Sequence, residues 1–194
     1  MDAYAERHGY DLRINRRQPE DPIGERRAKI SLLRDTLPDY DLVVWIDADV
    51  MIGSLDEDIA DDVPPFAFQA FVLEHSDWGF GPNSGVWAMR NEPESFEFLD
   101  ELDAIGPHPA KPNSDQVIVH LALGWKLNEA ATTARPAYHS RFLERTGWLP
   151  VKWNPVGYAY NEPANFRHYY ARTYERKLEQ MRSEFERLQA AGVI

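Results

Sequence analysis

The chain has 194 residues, with 32 Asp and Glu against 21 Lys and Arg for a net charge of −11, and no cysteine. The acidic field repels phosphate backbones and excludes nucleic acid as a partner, and without thiols any metal must be held by oxygen and imidazole. The length fits one domain over 1–194, no apolar run approaches the roughly 20 residues of a membrane span, and the first residues do not make a signal peptide, so the expected location is cytoplasmic.

Residues 1–9 read as the tail of a helix stopped by Gly9, and residues 10–14 alternate as a short strand. Asp21 and Pro22 supply an N-cap and a first-turn proline for a helix over 22–37, with Ile30, Leu33 and Leu37 on one face. Residues 42–46, Leu-Val-Val-Trp-Ile, are apolar without alternation, which predicts a strand buried on both faces of a parallel sheet at the centre of the fold. Further strands are expected at 66–73 and 86–89, separated by a glycine-rich turn over 78–85. A helix over 94–105 ends at Gly106-Pro107, and another opens at Asn113, spaced from Gln116 like a capping box, and stops at Gly124. After Pro150 the chain turns irregular and aromatic up to Tyr170. It closes with an amphipathic helix whose stripe of Tyr174, Leu178, Met181, Phe185 and Leu188 either docks on its own domain or pairs two copies.

The segment richest in chemistry is 42–51, where the apolar strand runs into Asp47-Ala48-Asp49. Side chains at i and i+2 of a strand point the same way, so both carboxylates project from its carboxyl end, where open α/β sheets bind their ligands. Two such charges repel unless a hard divalent cation sits between them; the plainer alternative is a solvated turn. The acidic run 56–62 has no buried strand before it and reads as a solvated face. Of the six histidines, His168 lies in a short aromatic strand that could return to the sheet edge as a third ligand, whereas His120 lies on the apolar face of a helix and reads as core. Gly79, Gly81 and Gly85 run one residue too long for G-x-G-x-x-G, and no Walker lysine is present. Asn83-Ser84-Gly85 is either an ordinary turn or a set of small polar groups and close backbone that hydrogen-bonds sugar hydroxyls.

Taken in order, Tyr4-Ala5-Glu6-Arg7-His8-Gly9-Tyr10, Lys29-Ile30, Val44-Trp45-Ile46-Asp47-Ala48-Asp49, Asn83-Ser84-Gly85-Val86, Asp115-Gln116 and His168 form a series along nearly the whole chain. The series resembles the metal-dependent glycosyltransferases of the GT-A fold, most closely the retaining galactosyl/xylosyl transferase family. The resemblance implies an α/β, Rossmann-like, mostly parallel sheet flanked by helices. It divides the domain into a nucleotide-sugar and metal half over 1–124, an irregular acceptor side over 125–170 and a C-terminal helix over 171–194. It implies transfer of a hexose or pentose from a UDP- or GDP-sugar to a glycan, lipid or protein acceptor, with Mn²⁺ or Mg²⁺ holding the diphosphate.

By the same resemblance Asp47, Asp49 and His168 are the metal ligands, and Lys29, Asp47, Asn83, Ser84 and Gly85 hold the donor. Gln116 and Asp115 are the catalytic pair, with Gln116 near the anomeric carbon. The series departs from the family at Ala171, where a glycine is usual, and at Tyr174, where a lysine on the diphosphate is usual; Arg172, Arg176 or Lys177 is the substitute, with Arg172 taken as the donor-binding residue. The family's first strand and base-binding loop have no counterpart ahead of Met1, so the sheet is expected to lack its usual first strand. Two other functions are open: a non-catalytic sugar- or partner-binding relic of this fold, and a haloacid-dehalogenase-like phosphatase using Asp47 and Asp49, which requires Thr or Val at position 51 where the chain has Met.

Overall fold

The computed structural model describes residues 1–16, 22–76, 79–106, 115–126, 136–156, 161, 163–169 and 173–193, without the side chains of 22–27, 76 and 79. Asp21, Trp78, Asn113, Ser114, Ala171 and Arg172 lie outside the described residues. The caps expected at Asp21 and Asn113 and the donor role expected of Arg172 therefore have no structural counterpart here.

The described chain runs α1 (Asp2–His8), α2 (Pro22–Thr36), β1 (Leu42–Ile46), β2 (Val50–Ile52), β3 (Gln69–Ser76), β4 (Gly79–Arg90), α3 (Pro93–Ile105), α4 (Asp115–Ala122), β5 (Thr146–Trp148), β6 (Phe166–His168) and α5 (Tyr174–Ala190). The helix stops fall where the sequence puts them: Gly9 and Gly124 close α1 and α4 with φ of 74° and 93°, a region that favours glycine.

The main sheet has the order β1-β4-β3-β5, and a second ribbon pairs β2 with β6. Strand direction corrects the expectation of a mostly parallel sheet: β1–β4 and β3–β4 are antiparallel, and β3–β5 is parallel. Only two residues separate β3 from β4, and so short a connection can join only antiparallel neighbours. A second correction concerns β1, which lies at an edge of the four-stranded sheet rather than at its centre, with all five residues half-buried. Both its faces are nevertheless covered, Val43 and Trp45 packing on one core and Leu42, Val44 and Ile46 on the other, which is why its sequence lacks alternation. Residues 10–16 carry no strand; Tyr10 is half-buried against the core, and 11–16 run exposed along the surface, tied to the turn that follows α2 by Arg13–Asp39 (3.1 Å) and by the Tyr40 hydroxyl donating to Asp11 (2.9 Å).

The segment expected as a glycine-rich turn belongs to β4. Two of its glycines sit where an imidazole approaches the backbone: a Cβ on Gly81 would come within 2.8 Å of His120 Nε2, and one on Gly85 within 2.6 Å of His168 Nδ1. The β3–β4 register breaks between Phe71, opposite Trp87, and Val72, opposite Asn83. Ser84 and Gly85 thus leave the ladder with β3 beside the carboxyl end of β1, where the Asp47 amide donates to the Gly85 carbonyl at 2.8 Å. Bulges of this kind re-aim side chains next to functional sites.

Alternate residues of β3 and β4 feed two cores. Phe71, Trp87 and Met89 pack with Ile30, Leu33, Phe98, Leu99 and Val119 from α2, α3 and α4. Ala70, Val72, Val86 and Ala88 face Val50, Ile52, Trp153, Phe166 and Tyr4. Each fully buried aromatic contributes about 1.5–3 kcal/mol, and the edge-on pair Trp153–Phe166, with ring centroids 5.0 Å apart, fixes β6 against the segment that carries Asn154. Of the α5 stripe, Leu188 is buried, while Tyr174 and Phe185 are 71% and 46% exposed. Among the described residues, no helix is long and apolar enough to cross a membrane.

Candidate functional site

β1 ends at Ile46, and the backbone turns at once, the Val50 amide donating to the Asp47 carbonyl at 3.0 Å before β2 begins. This turn, rather than a continued strand, brings the two aspartates to one side. His168 arrives from β6, whose register with β2 places it opposite Val50, and the following Tyr169 amide donates to the Asp49 carbonyl at 2.8 Å. Asp47, Asp49 and His168 each offer a ligand atom within 4.8 Å of the other two. Two carboxylates and an imidazole are a donor set suited to Mn²⁺ or Mg²⁺, with further positions left for water or phosphate oxygens.

Around Asp49 the charges are matched. His168 Nε2 lies 3.2 Å from Oδ1, and Lys177, one turn into α5, rests on Oδ2. Burial by itself would raise the Asp49 pKa, but hydrogen bonding and charge from His168 and then Lys177 outweigh it and hold the carboxyl well below the usual range. Asp49 is therefore a carboxylate at any physiological pH, as a cation ligand must be.

The imidazole is held from behind. Asn154, fully buried, donates its Nδ2 to Asn83 Oδ1 at 2.8 Å, so its own Oδ1 is an acceptor and takes the proton of His168 Nδ1 at 3.1 Å. The ring nitrogen turned to Asp49 is then Nε2, which donates to Oδ1 when protonated and offers a lone pair to a cation when not. Gly85 supplies the space in which the ring lies.

A second cluster adjoins the first. Lys29 projects from α2 into the protein, 6% exposed, and its Nζ lies 2.9 Å from Asp47 Oδ1, 2.5 Å from Asp115 Oδ2 and 3.0 Å from the Ser84 carbonyl. Burial lowers the Lys29 pKa, but the charges of Asp115 and Asp47 more than offset it and hold the ammonium above its ordinary value. Asp115 opens α4, where the helix dipole favours a negative charge. Its own burial would raise its pKa, whereas Lys29 and the Ser84 hydroxyl, which donates to it at 3.0 Å, bring it down. Trp45 Nε1 donates to Asp47 at 2.6 Å, completing the frame of that carboxylate.

The remaining members join through Glu74, a buried carboxylate near the end of β3. Its Oε2 accepts from Asn83 Nδ2 at 2.8 Å and from Gln116 Nε2 at 3.3 Å. The structure thus brings Lys29, Asp47, Asp49, Asn83, Ser84, Gly85, Asp115, Gln116 and His168 into one connected network. Asn83 links Glu74 to Asn154, the residue behind His168, Gly85 donates to Asn83 and accepts from the Asp47 amide, and Asp115 is engaged by Lys29 and Ser84. His120 is a core residue on α4, as its apolar surroundings suggested, with Nε2 2.8 Å from the Pro82 carbonyl. Glu74 and Asn154 were missed by sequence reasoning. Glu74 carried a usable signal, an acid that closes an apolar run much as Asp47 does; Asn154, within Trp153-Asn154-Pro155, carried none.

No protein-family model and no curated protein matches the chain. Among solved structures, the chain is similar to a glycosyltransferase involved in the glycosylation of the major capsid of PBCV-1, with a TM-score of 0.62 at 18% identity over 94% of this chain and 88% of that one. The apo structure of the bifunctional glycosyltransferase WbbM also matches, at TM-score 0.47 and 16% identity over 81% of this chain and 33% of that one. At such identity the first likeness speaks to the fold alone, which this chain shares with that structure.

Proposed function

We propose that the chain is a metal-dependent glycosyltransferase that moves a sugar from a UDP- or GDP-sugar to a glycan, lipid or protein acceptor in the cytoplasm, with retention of configuration. The observation that carries this reading is the convergence of Asp47, Asp49 and His168 at the carboxyl end of β1, directly beside the Lys29–Asp115–Ser84 cluster.

Asp47, Asp49 and His168 would hold Mn²⁺ or Mg²⁺, which when bound neutralises charge on the departing diphosphate. Lys29, through Asp47, fixes the carboxylate nearest β1 so that it needs no reorganisation when the donor arrives. Ser84, with the backbone of Gly85, forms the wall against which the donor sugar lies, and Asn83 holds that wall in place. Glu74 orients the Gln116 amide, which stands near the anomeric carbon and stabilises positive charge developing there. Asp115 is a positioning carboxylate: its ion pair with Lys29 lowers its nucleophilicity, favouring front-face displacement over a covalent intermediate. The exposed Tyr174 and Phe185 of α5 are the surface through which two copies would pair, and a monomeric mass by light scattering would argue against that pairing.

Incubation with a panel of UDP- and GDP-sugars is the direct test, following release of the nucleoside diphosphate with Mn²⁺ and with EDTA. Metal-dependent release from one donor is expected. No release from any donor in the presence of metal and acceptor extracts would favour a binding protein built on the same fold.

A further inference from the structure

Lys177 is the one member of the site contributed by α5. The helix fixes it there: its amide donates to the Thr173 carbonyl at 2.9 Å, and further along, Leu188 is buried while Glu184 feels the charge of Arg167 on β6, the strand that also carries His168. The ammonium rests on Asp49 Oδ2 while His168 Nε2 lies against Oδ1. Both oxygens of this carboxylate are therefore engaged, one of them by a full positive charge. A divalent cation ligated by Asp49 and an ammonium on the same carboxylate repel each other, so the cation competes with Lys177 for Asp49 unless an anion joins them.

Resting on the metal-dependent reading above, we propose that Lys177 couples cation binding to nucleotide binding: it occupies Asp49 in the empty site and transfers to the diphosphate when cation and nucleotide bind together. Cation alone must displace the ammonium with nothing to receive it. Cation with a diphosphate meets no such cost, because the phosphate oxygens provide Lys177 with a new partner. Linkage then requires that nucleotide tighten the cation by the same factor that cation tightens the nucleotide. The site would remain weakly metallated until a donor arrives.

The test is calorimetric titration of the full chain with MnCl₂ alone, and with UDP or GDP in the absence and presence of Mn²⁺, for the unchanged protein, Lys177→Met and Arg182→Met. Arg182 is exposed on the same helix and controls for simple loss of one positive charge. In Lys177→Met, Mn²⁺ alone is expected to bind about tenfold more tightly, whereas the nucleotide in the presence of Mn²⁺ binds about tenfold more weakly, and the coupling factor falls accordingly. These opposite changes separate exchange from a structural role, which would weaken both. Equal Mn²⁺ affinity in Lys177→Met and the unchanged chain, or the same shifts in Arg182→Met, would overturn the coupling while leaving the metal site standing. Absence of Mn²⁺ binding in every protein, with and without nucleotide, would overturn the metal-dependent reading itself and the coupling with it.

Discussion

Gly85 and His168 occupy one space: a Cβ at position 85 would lie 2.6 Å from the imidazole Nδ1 and nearer still to Cε1, and 3.0 Å from the Asn83 amide oxygen. The glycine is there because a ring must pack against the backbone where β4 leaves its ladder with β3. Gly85→Ala should therefore displace His168, with Mn²⁺-dependent nucleotide binding weakened at least about tenfold and stability reduced by about 1–3 kcal/mol. Thermal melting and calorimetry check both, and unchanged metal binding would remove His168 from the ligand set.

Asn154 sets the tautomer of the same ring by accepting from Nδ1 while donating to Asn83. Partners behind a metal-ligating histidine typically contribute 10–100-fold to metal affinity, and Asn154→Ala is expected to lose about that much. It should also lose about 1–3 kcal/mol of stability, since the Asn83 oxygen and the His168 proton forfeit a buried partner. A variant that melts lower yet binds Mn²⁺ as before would make Asn154 purely structural.

Lys29 faces Asp47 and Asp115 from inside the protein, so Lys29→Met leaves buried negative charge unmatched. Breaking such a pair costs about 3–5 kcal/mol, or about 10 °C in Tm for a chain of this size. The pH dependence has a definite sign. With its folded pKa held low, Asp115 in the unchanged protein contributes stability above the ordinary carboxylate range, and that contribution is lost as pH falls through the folded value. Without Lys29 the buried Asp115 is raised by desolvation and relieved by protonation. The difference in Tm between the two proteins should narrow from about pH 7 to about pH 4; a constant or widening gap would mean that Lys29 stabilises through packing on Trp45, 5.4 Å from its ring centroid, rather than through charge.

Gln116 donates to Glu74, which also accepts from Asn83. If its amide acts on charge that develops only during transfer, Gln116→Ala lowers kcat by about 10²-fold and leaves the donor KM within about threefold. A raised KM with kcat preserved would place Gln116 in ground-state donor binding.

The meeting of Asp47, Asp49 and His168 was legible in part: the carboxylates follow an apolar strand, a local signal, whereas His168 was joined to them by the family resemblance. The helix stops at Gly9 and Gly124 were legible as local signals too. Strand direction was not, since an apolar run without alternation reports only that both faces are covered, and Leu42–Ile46 meets that condition at a sheet edge. Gly79, Gly81 and Gly85 read as turn residues, although the latter two admit imidazoles against a strand. Asn154 acts through contacts 14 and 71 residues away in sequence, which no local pattern encodes, and Glu74, for all its position at the end of an apolar run, owes its role to partners 9 and 42 residues away.

The central claim is that Asp49 helps hold a cation through which the protein binds a nucleoside diphosphate. Calorimetric titration with UDP and GDP, each with and without Mn²⁺, on the unchanged chain and on Asp49→Ala tests it most directly. The account predicts binding of one nucleotide that requires the metal and is lost in Asp49→Ala, while the variant still unfolds in a single cooperative transition. Nucleotide binding that is the same without metal, or that survives in the variant, would contradict it.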